Sequence, residues 1–451
     1  MKKIRPHSFA FCGGAFGDEG KGRIVDELVH KENRKRHVIL YRDNGGANAG
    51  HTIELASGKR IAFHQLPSGV LAKNTTVILG KGMVIHPGDL LEEINQVALE
   101  SIAAVIKVDE MAVLSLDTHR ALESVLKIWQ EGGKGATGRG ISPAYADVLL
   151  RHPLRVRDIA QFNLEKIHKH YKLYEALIKG LGQNLAEAQV PVLGREEKIP
   201  VGSLAIFTDR LEKQGKGLIK YSGDVTAFLK KTWVDSNKYT YIFEKSQAIG
   251  LDPRWGVYPD VTASDTTFAG IFSATEGIID PSQIEVRAAV IKATYMSSVG
   301  TRVLPTTMPE KLATRIREDA HEYGATTRRP RGIAYLDIPA LKFFMEVGDV
   351  THLVLTHMDI VYPDTPVKIC TQYNINGRQV SYRPDQEYLL QVKPHYVEMP
   401  VWDKTQISKA KKVAELPAKS RRFLSFLTNS LGIPAWMLTT GPRREQGFFI
   451  H

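Results

Sequence analysis

The chain is poor in cysteine. Its two thiols, Cys12 and Cys370, stand far apart in 451 residues and suggest neither a disulfide framework nor a cysteine zinc site. No apolar run is long enough to cross a bilayer, so no membrane partner is expected. The N-terminal Met1-Lys2-Lys3-Ile4-Arg5-Pro6-His7 leads only into a short apolar run. It lacks the long apolar segment and small-residue cleavage site of a secretory signal, which makes the cytoplasm the expected compartment. Internal repeats and low-complexity tracts are missing too. Acid is in deficit, with 49 Asp+Glu against 60 Lys+Arg and a net charge of +11. The excess is dispersed, and no zinc-finger spacing, aromatic RNA-binding motif or basic-zipper pattern accompanies it. No nucleic-acid partner is expected. Phosphorylated or carboxylated small molecules remain as anions that such a charge suits. Hydrophobic residues make up 43%, enough for a sizeable core.

Glycine is what the chain has in the telling places. Cys12-Gly13-Gly14-Ala15-Phe16-Gly17-Asp18-Glu19-Gly20-Lys21-Gly22-Arg23 lies between the apolar run Phe9–Phe11 and a helical pattern at Ile24, Val25, Leu28 and Val29. Strand, glycine loop and helix in that order aim backbone N–H groups and a helix N-terminus at phosphate, with Lys21 as a point charge. The stretch resembles a P-loop with one residue too many between Gly14 and Gly20, and with Gly22 where a metal-holding hydroxyl is usual. Asp18 is then the nearest metal ligand. A second stretch, Arg42–Thr52, follows the apolar run Val38–Tyr41 and reads as a loop of small residues around Asn48 and His51. In a parallel sheet both loops lie where strands end, which would bring His51 near Asp18 as an acid–base pair. Gly133–Pro143 is a third glycine-rich stretch, with Thr137, Arg139 and the nearby Arg151 able to meet an anion.

Alternating strand and helix patterns point to an α/β fold: a mainly parallel central sheet flanked by helices, with helical and small β insertions. One domain over 1–451 is expected, with a helical insertion at roughly 155–235. Strand character returns at Tyr239–Phe243, followed by Gln247, whose amide offers both a donor and an acceptor to a base edge, and by Thr262. Gly324–Arg331 concentrates hydroxyls and guanidinium groups, which suits a dicarboxylate. Leu353–Leu355 reads as a buried strand ending in Thr356-His357-Met358-Asp359, where a carboxylate at Asp359 can accept from guanine N1–H and its 2-amino group together. Trp436–Pro442 reads as a strand and turn able to back a base.

Together, Gly17–Gly22, Asn48–Thr52, Thr137–Ile141, Tyr258-Pro259, Gly324–Thr327 and Thr440–Pro442 resemble the adenylosuccinate synthetase family, in the family's order. The resemblance implies a C–N ligase that joins IMP and aspartate with GTP hydrolysis through a 6-phosphoryl intermediate. It implies catalytic roles for Asp18, His51, Lys21 and Gln247. It places GTP at Gly17, Glu19, Gly20, Lys21, Gly22, Gly50, Thr52, Arg331, His357, Asp359, Thr439, Thr440 and Gly441. IMP falls to Asn48, Thr137, Arg151, Gln247 and Thr262, with Arg151 reaching across a homodimer. Aspartate falls to Ala325, Thr326, Thr327 and Arg329. Mg²⁺ falls to Asp18 and the Gly50 carbonyl. The chain departs from the family at Ala47, Ala136, Arg328 and His357, the last replacing a usual Lys. A relative acting on another 6-oxopurine nucleotide such as dGMP, or using ATP, is the alternative. A regulatory GTP-binding module would need neither the Asp18–His51 pair nor the arginines of the dicarboxylate loop.

Overall fold

The computed structural model describes residues 3–54, 60–100, 104–129, 137–194, 196–324, 329–441 and 446–450, with the backbone alone at 51–54, 60, 128 and 129. A ten-stranded sheet runs through the molecule in the order Ser222–Gly223, Val105–Asp109, Thr75–Leu79, His37–Arg42, Tyr239–Ala248, Arg5–Gly13, Ile284–Lys292, His352–Thr356, Ala435–Thr439, Gly447–Phe449. Every pairing is parallel except the last. The expectation of a mainly parallel central sheet therefore holds.

The apolar runs become buried strands because both faces of the sheet are covered. Side chains alternate between two cores. Ala10, Cys12, Ile39, Tyr41, Tyr241 and Phe243 enter one; Phe11, Val38, Leu40 and Ile242 enter the other. The central strands are parallel, so the loops that leave neighbouring strands share one edge. A smaller five-stranded sheet contains Tyr295–Ser298, Gly332–Asp337, Val367–Ile375, Arg378–Val380 and Lys393–Met399.

The middle region carries the helices Val156–Ala160, Leu164–Gly180, Leu204–Leu218 and Val225–Thr232, interrupted by the two-residue strands Gln189–Val190, Ile199–Pro200 and Ser222–Gly223. Asn163, Ser203 and Asp224 cap three of the helices by accepting from backbone N–H groups of Lys166, Ile206 and Ala227. Gly215 lets two of these helices touch. A methyl group there would stand 2.1 Å from the Ile159 carbonyl oxygen, a backbone atom with nowhere to go. Alanine gains about 1 kcal/mol of helix propensity over glycine. Overpacking costs about 1–3 kcal/mol, so the clash wins. Gly215→Ala is expected to lower the thermal midpoint and leave the catalytic rate unchanged; a raised midpoint would show that the helices simply slide apart.

Candidate active site

Five of the sequence motifs, together with the turn after Ile284–Lys292, leave the same edge of the sheet. The glycine loop follows Arg5–Gly13 and the Asp43–Gly50 loop follows His37–Arg42. Gln247 sits near the end of Tyr239–Ala248, and Lys292–Tyr295 follows Ile284–Lys292. His357–Asp359 follows His352–Thr356, and Thr440–Gly441 follows Ala435–Thr439. In such sheets ligands gather outside the carboxyl ends of the strands.

The glycine loop turns on three positive backbone angles: Gly17 (φ 98°), Asp18 (φ 59°) and Gly20 (φ 90°). A side chain at Gly17 or Gly20 would be strained there. Gly20 precedes the helix Lys21–Glu32, whose N-terminus has no side-chain cap. Its first N–H groups, including those of Lys21 and Gly22, have no partner within the helix and face the loop. The Glu19 side chain folds into the loop. Its buried carboxylate turns inward and accepts from the Ala15 and Gly17 N–H groups at 3.2 and 2.7 Å. The loop thus carries an internal anion, and those two amides are engaged. Lys21 Nζ lies 3.6 Å from Glu19 and donates to the Gln247 carbonyl at 2.6 Å. Thr356 Oγ1 donates to the Glu19 carbonyl at 2.8 Å, tying the loop to the strand that leads to Asp359.

The Asp43–Gly50 loop is held from several sides by residues that carry no local signal of such a role. Asp43 pairs with Lys245 at 2.5 Å, both fully buried. Asn44 accepts from Ser246 N–H at 2.8 Å and donates to Ser264 Oγ at 3.0 Å. The Gly45 N–H donates to Tyr145 Oη at 3.2 Å, and Tyr145 donates to the Gly82 carbonyl at 2.7 Å. Asn48 Oδ1 accepts from Gly46 N–H at 3.2 Å. Gln247 packs against this loop: a Cβ on Gly45 would lie 3.1 Å from Gln247 Oε1. Both side-chain polar atoms of Gln247 are buried without a hydrogen-bond partner, and its φ is 58°. A buried amide left unsatisfied costs about 1–3 kcal/mol, which a ligand with a complementary edge recovers. The sequence pattern ended the strand at Phe243; the strand runs on to Ala248 and puts Gln247 on its rim rather than in a solvated loop.

On the other side of the glycine loop, Asp18 forms an ion pair with Arg331. Arg331 also donates to Glu322 at 2.5 Å, and Glu322 receives Lys292 Nζ and the Tyr295 hydroxyl, the latter at 2.5 Å. Burial pushes the Glu322 carboxyl up, but Lys292 and Arg331 more than offset it and hold it at about 2. His357, at φ 57°, places Nδ1 2.5 Å from the Tyr295 hydroxyl. Burial and then Lys292 lower the His357 pKa to about 4. The folded ring stays neutral where an unfolded histidine takes up a proton, so this residue withdraws stability as pH falls from about 6.5 towards 4. Thermal midpoints across that window are expected to decline more steeply for the wild type than for His357→Gln; parallel curves would remove His357 from the account. Burial raises the pKa of Asp359. Trp402 Nε1 donates to the Met358 carbonyl at 2.8 Å and backs this loop. Thr439 and Thr440 are buried beside it, and Arg23 donates to the Gly441 carbonyl.

The remaining expected positions are more dispersed. His51 and Thr52 open the short strand His51–Glu54, paired with Arg60–Phe63, rather than lying in a loop. Alternation with Ile53 and Ile61, and a partner strand close by in sequence, outweigh the small residues upstream. Their side chains lie outside the described residues. Gly50 is exposed. Thr137 precedes Gly138 (φ 73°) and Gly140 (φ 70°), which opens the uncapped helix Ile141–Leu149. Arg151 is exposed at φ 68° just past that helix, behind Leu149 and Leu150, which are 83% and 66% exposed. Thr262 is half-buried, its N–H donating to the Leu251 carbonyl at 2.8 Å. Arg329 is exposed, its carbonyl accepting from Gly324 N–H at 2.8 Å. Ala325, Thr326, Thr327 and Arg328 lie outside the described residues, as does Ala136.

Among the described residues, one cluster of metal-ligand type is buried elsewhere: His119, Asp147 and His170, with ligand atoms within 4.8 Å of one another. The Leu116 N–H donates to His119 Nδ1 at 2.8 Å, which places the ring proton on Nε2, 3.0 Å from Asp147. Tyr174 donates to the same carboxylate at 2.8 Å. A metal needs the lone pair that this proton occupies, so the cluster is a hydrogen-bonded strut between helices.

Residues 10–448 match the profile of the adenylosuccinate synthetase family. The chain belongs to that family. Adenylosuccinate synthetase of Thermus thermophilus is 34% identical to it over 439 residues, covering 97% of this chain and 98% of that protein. The fully ligated adenylosuccinate synthetase from Plasmodium falciparum has the same fold, with a TM-score of 0.85 and 28% identity over 98% of this chain and 99% of that one. Cyanophage S-2L succinoaminodeoxyadenylate synthetase, solved with dGMP and with dATP as an energy donor, shares the fold at a TM-score of 0.59. It is 16% identical, over 99% of this chain and 96% of that one.

Proposed function

We propose that this member of the adenylosuccinate synthetase family joins IMP and L-aspartate, using GTP, to form adenylosuccinate, GDP and phosphate. The observation that carries the reading is the meeting at one sheet edge of three parts: an uncapped helix N-terminus with Lys21, a buried unpartnered amide at Gln247, and a carboxylate at Asp18. A phosphate site, a base-edge reader and a proton acceptor are what activation of a purine 6-oxygen requires.

In this reading Asp18 takes the N1 proton of IMP, and negative charge moves to O6. O6 attacks the γ-phosphorus of GTP, the bond to the β-phosphate oxygen breaks, and GDP leaves. Lys21, the helix N-terminus and His51 neutralise the transferred phosphoryl group. The amine of aspartate then displaces phosphate from C6. Asn48, Thr137, Thr262 and Gln247 hold IMP. Ala325, Thr326, Thr327 and Arg329 hold aspartate. Arg331, His357, Asp359 and Thr439–Gly441 hold GTP. Asp18 and the Gly50 carbonyl are hard oxygen donors on two loops at one edge, and they fit Mg²⁺, which when bound supplies charge neutralisation to the phosphates. The ion pair with Arg331 occupies the Asp18 carboxylate. Substrate phosphates that compete for Arg331 free the carboxylate.

Arg151, raised on a left-handed turn beside two exposed leucines, supports a homodimer in which it reaches the partner's IMP. Soluble nucleotide substrates suit the cytoplasm, and no helix among the described residues is long and apolar enough to cross a membrane. The dGMP or ATP alternative has less support, since the phage enzyme shares only the fold at its level of identity. The test is an absorbance assay of IMP, GMP and dGMP, each with aspartate and either GTP or ATP. Adenylosuccinate from IMP and GTP is the expected outcome; turnover with dGMP alone would overturn it.

A further inference from the structure

We propose that Tyr295 and Glu322 are a positioning pair that sets two groups on the donor-nucleotide side: the His357 ring, and Arg331 in its pair with Asp18. The proposal rests on reading Thr356–Asp359 as the donor-base loop. An unbroken line of polar contacts runs His357–Tyr295–Glu322–Arg331–Asp18. Proton bookkeeping gives it a direction. Glu322 is ionised, so it only accepts, and the Tyr295 hydroxyl proton goes to it. The phenolic oxygen then accepts from His357 Nδ1–H, leaving the lone pair on Nε2. One buried carboxylate therefore selects the tautomer of a ring it does not touch.

Glu322 grips Arg331 twice, by its side chain at 2.5 Å and by its backbone carbonyl, which accepts from Arg331 N–H at 3.0 Å. Lys292, which also donates to Ser297 Oγ at 2.5 Å, completes the neutralisation. Glu322 and Tyr295 are almost wholly buried, so neither meets solvent. A lysine ammonium at such a place would be a point charge, useful in many orientations. A neutral imidazole has no such charge, and it needs a fixed orientation to be useful; the tyrosine provides that orientation.

Tyr295→Phe keeps the ring and removes the one oxygen that joins the two halves. Calorimetric titration with GTP, in the absence of IMP, is expected to show affinity reduced about tenfold, the worth of one charge-linked hydrogen bond. KM for IMP and for aspartate should stay within about twofold, by the same bond count. In a His357→Gln background the Tyr295→Phe change should add nothing, because the two act through one contact. Equal losses in both backgrounds, or equal losses for IMP and GTP, would reduce Tyr295 to packing and overturn the proposal. So would unchanged GTP affinity. Failure of the wild type to make adenylosuccinate would instead sink the ligase reading, while the titration would still decide this one.

Discussion

Asp18→Asn is expected to lower adenylosuccinate formation by roughly a thousandfold, within the range by which a positioned general base accelerates proton transfer. The substitution keeps the shape of the side chain and its left-handed backbone (φ 59°), a conformation asparagine adopts as readily as aspartate. It removes the lone pair proposed to take the N1 proton and the charge that Arg331 pairs with. GTP affinity should change little or rise, since Arg331 no longer has the Asp18 carboxylate to leave. The check combines steady-state rates with calorimetric GTP titration. Turnover within tenfold of the wild type would move the base to another residue.

Lys245→Met is expected to be the most damaging single change to stability. Lys245 and Asp43 are buried together at 2.5 Å, with 0% and 1% of their side chains exposed. Removing one partner of a buried pair costs about 3–5 kcal/mol, because a carboxylate is left without compensation. Burial raises the Asp43 pKa, so part of that cost is relieved by protonation. Asp43 begins the loop that carries Asn48, so the affinity for IMP should fall with the thermal midpoint. Adding Asp43→Asn to Lys245→Met removes the stranded charge and should recover much of the loss. A single variant with a wild-type midpoint would show that the pair contributes nothing. Scanning calorimetry and IMP titration of both variants give the answer.

The parts of the fold legible in the sequence are those fixed by local pattern. Val38–Tyr41 is continuous and apolar, and it is a strand buried on both faces. The helix after Gly20 follows from its apolar spacing, and the mostly helical middle region from the same signal. Contacts that join distant segments left no trace. Ser246 and Asn44 are 202 positions apart, as are Lys245 and Asp43, and nothing in either neighbourhood marks them. Glu19 was legible as part of a motif but not as an inward anion. Its direction depends on where the Ala15 and Gly17 amides point, which follows from positive φ angles and not from residue type. Asp18 was legible as a carboxylate beside phosphate-binding groups. Its pairing with Arg331 was not, because 313 positions separate them.

The strand that carries the glycine loop, Arg5–Gly13, has as its two neighbours Tyr239–Ala248 and Ile284–Lys292. A ribosome adds residues in order, so this strand is complete at Gly13, well before Tyr239 opens its first neighbour, and stays unpaired meanwhile. Both its edges are open templates during that interval, and non-local pairings of this kind form slowly. Chaperone demand during synthesis should therefore be set by the strand beneath the glycine loop, and conditions that slow elongation past residue 239 should lower the soluble yield before they alter the finished enzyme.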